Sequence, residues 1–139
     1  MSDTILLVED NPDDAELTRL ALERLGQHAR VTLFTDGVQA LDYLKDEARA
    51  AQIRVVILDI KLPKMDGVQV LAKLKAEPRT RPIPVVILSS SSRESDIAQC
   101  YALGANSYVV KPVELEDYLD RISAVGRYWD KVNQPLAAR

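Results

Sequence analysis

The 139-residue chain contains one cysteine, one histidine, one phenylalanine and one tryptophan. Each scarcity excludes something. The lone Cys100 cannot close an internal disulfide, so a reducing compartment, the cytoplasm, is the expected location. With His28 the only imidazole, near the end of the first predicted helix, no cluster of soft or nitrogen ligands is at hand for zinc or copper. No apolar run approaches the roughly 18 residues that a membrane helix requires. The opening MSDTILLVED has no basic region before its short apolar stretch, so it does not read as a signal peptide. A net charge of only −3 argues against broad binding to a phosphate backbone, and no nucleic-acid partner is expected. What remains is ordinary: 47% hydrophobic and 28% charged, the balance of one globular domain spanning 1–139, with no room for a second.

Apolar runs recur at even spacing: ILLV at 5, VTLF at 31, VVIL at 55, VVIL at 85 and YVV at 108. Helical periodicity fills the gaps. After the first run, Asn11 can cap a helix with Pro12 at its first position, Leu17, Leu20, Ala21 and Leu25 on one face, and Gly26 at its end. A second helix follows the cap Asp36 with Val38, Leu41 and Leu44, and a third carries Val68, Leu71 and Leu74. The fourth is expected to start at Ser91, paired with Glu94 in a capping box, and to stop before Gly104. The last follows Pro112 with Leu115, Leu119, Ile122 and Val125 as its buried stripe. Five strands alternating with five helices predict an α/β fold, a doubly wound parallel sheet of (βα)5 type, flavodoxin-like with strand order 2-1-3-4-5.

In such sheets functional groups gather beyond the carboxyl ends of the strands. Strand one ends in Glu9 and Asp10, strand three in Asp59, strand four in Ser89 and Ser90, and strand five leads to Lys111. Three carboxylates at one edge repel unless a cation joins them, and magnesium, a small hard ion that takes oxygen ligands, fits best. Asp59 then becomes a nucleophile for a phosphoryl group, with Lys111 neutralising the phosphoryl oxygens and Ser89 donating a hydrogen bond. Taken singly, each residue has a plainer role: Asp13, Asp14 and Glu16 as acidic helix starters, Ser90 to Ser92 as loop and cap, Lys111 as a surface lysine. Their joint occurrence at successive strand ends is what those roles explain poorly.

These motifs resemble the receiver domain of two-component response regulators. The resemblance runs from about Thr4 to Val125 and is carried by ILLVEDNPDD, VVILDIKLPKMDG, VVILSS and GANSYVVKPV. It implies that Asp59 accepts phosphate from a sensor histidine kinase, and that Asp10, Asp59 and the main-chain carbonyl of Lys61 bind magnesium, with Glu9 acting through water. It implies a cis Lys111–Pro112 bond and a switch in which Ser89 moves toward the phosphoryl group while Tyr108 turns inward. Serine stands at 89 where threonine is commoner, keeping the hydroxyl and losing a methyl. VEDNPDDAELTRLALE, IPVVILSSSSRESDIAQCYALGANSYVVKPV and the late YW are similar to single-domain regulators paired with bacterial and cyanobacterial phytochrome kinases, which points to a bacteriophytochrome as the kinase.

An enzyme and a flavin-binding protein share parts of this pattern. A haloacid-dehalogenase-like phosphatase needs a DxDx[TV] motif after strand one, which VEDNPDD does not supply, and a flavodoxin needs a phosphate-welcoming first loop. A receiver-like module that binds partners without phosphate is the remaining alternative. Tyr128, Trp129 and Val132 continue the last helix past the expected end of the sheet. Either Trp129 folds back on its own domain or the aromatic end extends a homodimer formed through the fourth helix, fifth strand and fifth helix.

Overall fold

The computed structural model describes residues 4–24 and 30–136. Five parallel strands form one sheet in the order β2-β1-β3-β4-β5. They are β1 (Thr4–Val8), β2 (Arg30–Phe34), β3 (Ile53–Leu58), β4 (Val85–Ser89) and β5 (Ser107–Val110). The three inner strands are continuous apolar runs because helices cover both faces of the sheet. Leu6, Val8, Val56, Leu58 and Ile87 face one layer, in which α2 (Gly37–Tyr43), α4 (Gly67–Ala76) and α5 (Glu94–Ala102) bury Ala40, Leu71, Leu74 and Cys100. Ile5, Leu7, Val55, Ile57 and Val86 face the other, where α1 (Pro12–Glu23) and α6 (Leu115–Arg127) bury Ala21, Leu22, Tyr118 and Ile122. Alternate side chains of each strand thus serve two cores.

The helices depart from expectation in several places. The crossover from β2 to β3 carries two helices, not one, because Asp46 accepts from the main-chain N–H of Arg49 and starts the short α3 (Glu47–Gln52). Asp36 caps α2 as expected, accepting from Gln39 at 2.8 Å, but Val38 faces solvent while Leu44 is buried. In α1 the buried face is Ala15, Thr18, Ala21 and Leu22, and Leu20 is exposed. The rotation follows from a polar contact: the Thr18 hydroxyl and the Tyr118 phenol hydrogen-bond at 2.8 Å in the buried seam with α6. For the same reason α6 buries Tyr118, Ile122 and Gly126, leaves Leu115 exposed and holds Leu119 and Val125 at the flank. Leu25, Gly26 and His28 lie outside the described residues.

The expected capping box at α5 does not form. The helix begins at Glu94 behind Arg93, which offers no side-chain cap. The Ser91 hydroxyl donates instead to Asp96, one turn further on. Past Arg127 the chain continues as a π-helical turn, Tyr128–Val132. Trp129 packs back against the core of its own domain, and one Arg54 guanidinium nitrogen donates to the carbonyls of Trp129 and Asp130 at 3.3 and 3.2 Å. The reading of Trp129 as an outward anchor is therefore corrected: packing the indole against the core removes apolar surface that an extended helix would leave in water. Tyr128 and Val132 remain exposed. Among the described residues, no helix is long and apolar enough to cross a membrane.

Candidate functional site

Main-chain hydrogen bonds carry the sheet pairing one residue past the strands and so fix what stands at its carboxyl edge. Glu9 N–H donates to Phe34, Asp59 N–H to Val8 and Lys111 N–H to Ser89. Because Val8 pairs with Leu58, the next residues, Glu9 and Asp59, are neighbours. Asn11 then turns the chain into α1: its side chain accepts from the N–H groups of Asp13 and Asp14 at 2.9 and 3.0 Å.

Carboxylate oxygens of Glu9, Asp10 and Asp59 all come within 4.8 Å of one another. Glu9 and Asp59 are buried, whereas Asp10 is exposed at the mouth. The Lys111 ammonium donates to Glu9 at 2.6 Å, to Asp14 at 2.9 Å and to Asp59 at 3.0 Å. The other oxygen of Asp59 accepts from the main-chain N–H of Lys61 at 3.3 Å. Ser89 is buried, and its hydroxyl oxygen accepts from the N–H of Ser91 at 3.1 Å. Tyr108 packs its half-buried ring on the core and donates its phenol proton to the Ser91 carbonyl at 2.9 Å.

The electrostatics follow from burial and crowding. Burial pushes the Glu9 carboxyl up to about 7, with the Asp59 charge adding to it and Lys111 opposing. Burial works against the Lys111 ammonium too, but its hydrogen bonds to Glu9 and Asp14 and the charge of Asp59 outweigh that and raise its pKa. One lysine thus balances three carboxylates in a poorly solvated site. A donor set of carboxylate oxygens alone, with no His or Cys, fits magnesium.

Of the residues expected from the sequence, Glu9, Asp10, Asp59, Lys61, Ser89 and Lys111 lie at this edge, while Tyr108 lies within β5 and reaches it through Ser91; two features differ from expectation. The Lys111–Pro112 bond is trans, since no peptide bond among the described residues is cis. Trans is the favoured isomer of an X–Pro bond by about 0.5–1 kcal/mol, and in it Lys111 already reaches all three carboxylates. Asp14 is more than a helix starter. It stands in the first turn of α1 and ligates Lys111, a role signalled only by its place on the helix that leaves the acidic edge. Replacing Lys111 with Ala should therefore lower stability without metal by about 3 kcal/mol, the low end for breaking a buried pair because Glu9 can take up a proton. Added magnesium should return most of that loss in a urea titration. Equal stability of wild type and variant without metal would contradict the buried bridge.

Comparison with known proteins agrees with this geometry. The family model described as the response regulator receiver domain matches residues 5–123. The chain is 42% identical over 127 residues to a probable methanogenesis regulatory protein, FilR2, of Methanothrix harundinacea, covering 90% of this chain and 82% of that one. It spans about half, 52%, of two longer curated regulators that it also matches. Among solved structures, the phosphorylated cyanobacterial phytochrome response regulator RcpA superposes with a TM-score of 0.91 at 34% identity, covering 99% of this chain and 100% of that one. The Mn(2+)-bound form of the response regulator Rcp1 gives 0.90 at 31% identity, covering 97% and 99%.

Proposed function

This chain belongs to the response regulator receiver family of two-component systems, and from that premise we propose that it takes a phosphoryl group from a kinase phosphohistidine onto Asp59. The supporting observation is the convergence of Glu9, Asp10 and Asp59 on one point beneath a lysine that bridges three carboxylates. In this reading Asp10, Asp59 and the Lys61 carbonyl hold magnesium directly, and Glu9 acts through water. The bound ion would supply positive charge to the phosphoryl oxygens.

The chemistry asked of the chain is small. An Asp59 carboxylate oxygen attacks phosphorus, the phosphorus–nitrogen bond breaks, and its electron pair stays on the departing imidazole. Lys111 transfers its ammonium from Glu9 to a phosphoryl oxygen, and Ser89 donates its hydroxyl proton to another. Ser89 and Tyr108 then form the switch, and the protein signals through what it binds, catalysing only its own phosphorylation and dephosphorylation. Similarity to RcpA, whose name ties it to a phytochrome, supports a bacteriophytochrome-type histidine kinase as the donor and the cytoplasm as the place.

Incubation with acetyl phosphate, with and without magnesium, followed by intact-mass measurement tests this reading. One phosphoryl group should be gained, and only with the metal. No gain under either condition would favour the alternative of a receiver-like binding module that works without phosphate.

A second copy is the proposed partner on the face formed by α5, β5 and α6. That face exposes the large apolar residues Tyr101, Val113 and Leu115, which a monomer would leave in water. Leu115→Asp should weaken the dimer at least about tenfold in sedimentation over a range of concentrations, as expected when a charge is buried at an interface. A monomer at every concentration, phosphorylated or not, would exclude the dimer.

A further inference from the structure

Among the described residues, Ser91 joins the Ser89 hydroxyl to the Tyr108 phenol by hydrogen bonds. Its main-chain N–H donates to Ser89 Oγ at 3.1 Å, and its carbonyl accepts from Tyr108 Oη at 2.9 Å. Its own hydroxyl donates to Asp96 Oδ2, which also receives Arg93 Nε at 3.2 Å. Arg93 N–H returns to Ser91 Oγ at 3.3 Å.

We infer that Asp96 is a positioning residue that latches Ser91 to the first turn of α5, and that through this latch a movement of Ser89 reaches Tyr108. The inference rests on the proposed phosphoacceptor reading for its purpose, and on the hydrogen bonds above for its geometry.

The physical reason lies in what each bond must do when Ser89 moves. A Ser89 hydroxyl that turns toward a phosphoryl group abandons the Ser91 N–H. A part-buried N–H without an acceptor is costly, so the Ser91 segment has to shift to find another. Its carbonyl belongs to the next peptide plane and accepts the hydrogen bond from the Tyr108 phenol, so a shift of the segment disturbs the tyrosine as well. How readily the segment shifts depends on its anchor. Arg93 stands at the N-cap of α5 and supplies no capping side chain. The anchor comes instead from Asp96 inside the helix: the Ser91 hydroxyl first, then Arg93, hold its carboxyl below the usual range, so it is a strong acceptor. With the latch closed, the segment moves as a unit with the start of α5. With it open, the segment is free to relax alone, and the coupling between Ser89 and Tyr108 weakens.

Ser91→Ala removes only the hydroxyl and keeps the N–H and carbonyl that contact Ser89 and Tyr108. Asp96→Ala cuts the same latch from the other side, and Ser91→Thr keeps a hydroxyl. The three variants and wild type, labelled with 3-fluorotyrosine and with the Tyr108 signal assigned through Tyr108→Phe, are compared by fluorine NMR. Spectra are taken with magnesium alone and again after acetyl phosphate, with phosphorylation followed by intact mass.

Both alanine variants should take up phosphate as wild type does. Their resting Tyr108 signal should already be displaced or broadened, and its change on phosphorylation should fall to roughly half or less. The double variant should add nothing to either single one, and Ser91→Thr should restore the wild-type pattern. Identical resting signals and identical responses in wild type and both alanine variants would overturn the latch. A wild type that never gains a phosphoryl group would instead overturn the phosphoacceptor reading, while the resting Tyr108 signal still decides whether the latch holds the segment.

Discussion

Asp59→Asn is expected to abolish magnesium-dependent phosphoryl uptake while the protein stays folded. Asn has nearly the shape of Asp, so the tip of β3 keeps its filling, but it has no anionic oxygen to attack phosphorus and one fewer charge to offer a cation. Glu9 cannot take over the reaction. It is 1% exposed, and its two oxygens are engaged by Lys111 at 2.6 Å and by the N–H of Asn11 at 3.2 Å. Lys111 loses one of three partners and keeps Glu9 and Asp14, and the crowding of negative charge is relieved. Stability should thus stay within about 1 kcal/mol of wild type. The two measurements belong together: intact mass after acetyl phosphate treatment, and thermal melting. Wild-type labelling in the variant would place the acceptor elsewhere.

Gly67→Ala should be the most damaging glycine-to-alanine change among the described residues. Gly67 opens α4 directly beneath the strand tip, and its N–H donates to the Ile60 carbonyl at 2.6 Å. A Cβ there would lie 2.0 Å from the Asp59 carbonyl oxygen, 2.6 Å from Ile60 Cα and 2.8 Å from the Asp59 carbonyl carbon. All three are backbone atoms, so no side chain can swing away to make room. The helix start is pinned as well, by the reciprocal pair of hydrogen bonds between Asp66 and Gln69. Either α4 or the Asp59 backbone has to move, at a cost on the order of 4 kcal/mol. For a chain of this length the melting temperature should fall by roughly 15 °C. Because the displaced atoms belong to Asp59, phosphoryl uptake should slow even at temperatures where the variant is folded. Melting within about 2 °C of wild type would show that the contact relaxes without strain.

The sheet and its carboxyl edge were legible in the sequence because they rest on single-residue signals. Val55 to Leu58 and Val85 to Leu88 are unbroken apolar runs, and a strand buried on both faces has no other way to read. Asp59, Glu9 and Lys111 follow such runs directly, so finding the strands found the site. The faces of the outer helices were less legible. Leu20 and Leu115 fit an apolar stripe yet face solvent, since the seam between α1 and α6 is set by the Thr18–Tyr118 hydrogen bond. Apolar periodicity does not register a buried polar pair. Asp14 was hidden differently: an acid in a first turn has an ordinary explanation, and its reach to Lys111 depends on how α1 leaves the sheet. At Ser91 the local pattern named a box that does not form, because the Ser91 N–H goes to Ser89 and the Ser91 hydroxyl to Asp96, which leaves Glu94 out of both bonds.

The spacing of the groups that Lys111 joins has a consequence for how the chain folds. Lys111 meets Glu9 across 102 positions of sequence and Asp59 across 52, and it reaches both only after β5 has docked on the edge of the sheet. Contacts this distant along the chain form late, after the loop-closure entropy of the intervening segments has been overcome. Until then the central pair of strands brings Glu9, Asp10 and Asp59 together with no lysine to balance them, an arrangement held back by its own repulsion. Docking of β5 therefore completes both the sheet and the charge balance of the site. On the phosphoacceptor reading proposed above, a nascent or half-folded chain would be unable to take up a phosphoryl group, and competence would arrive together with the native state.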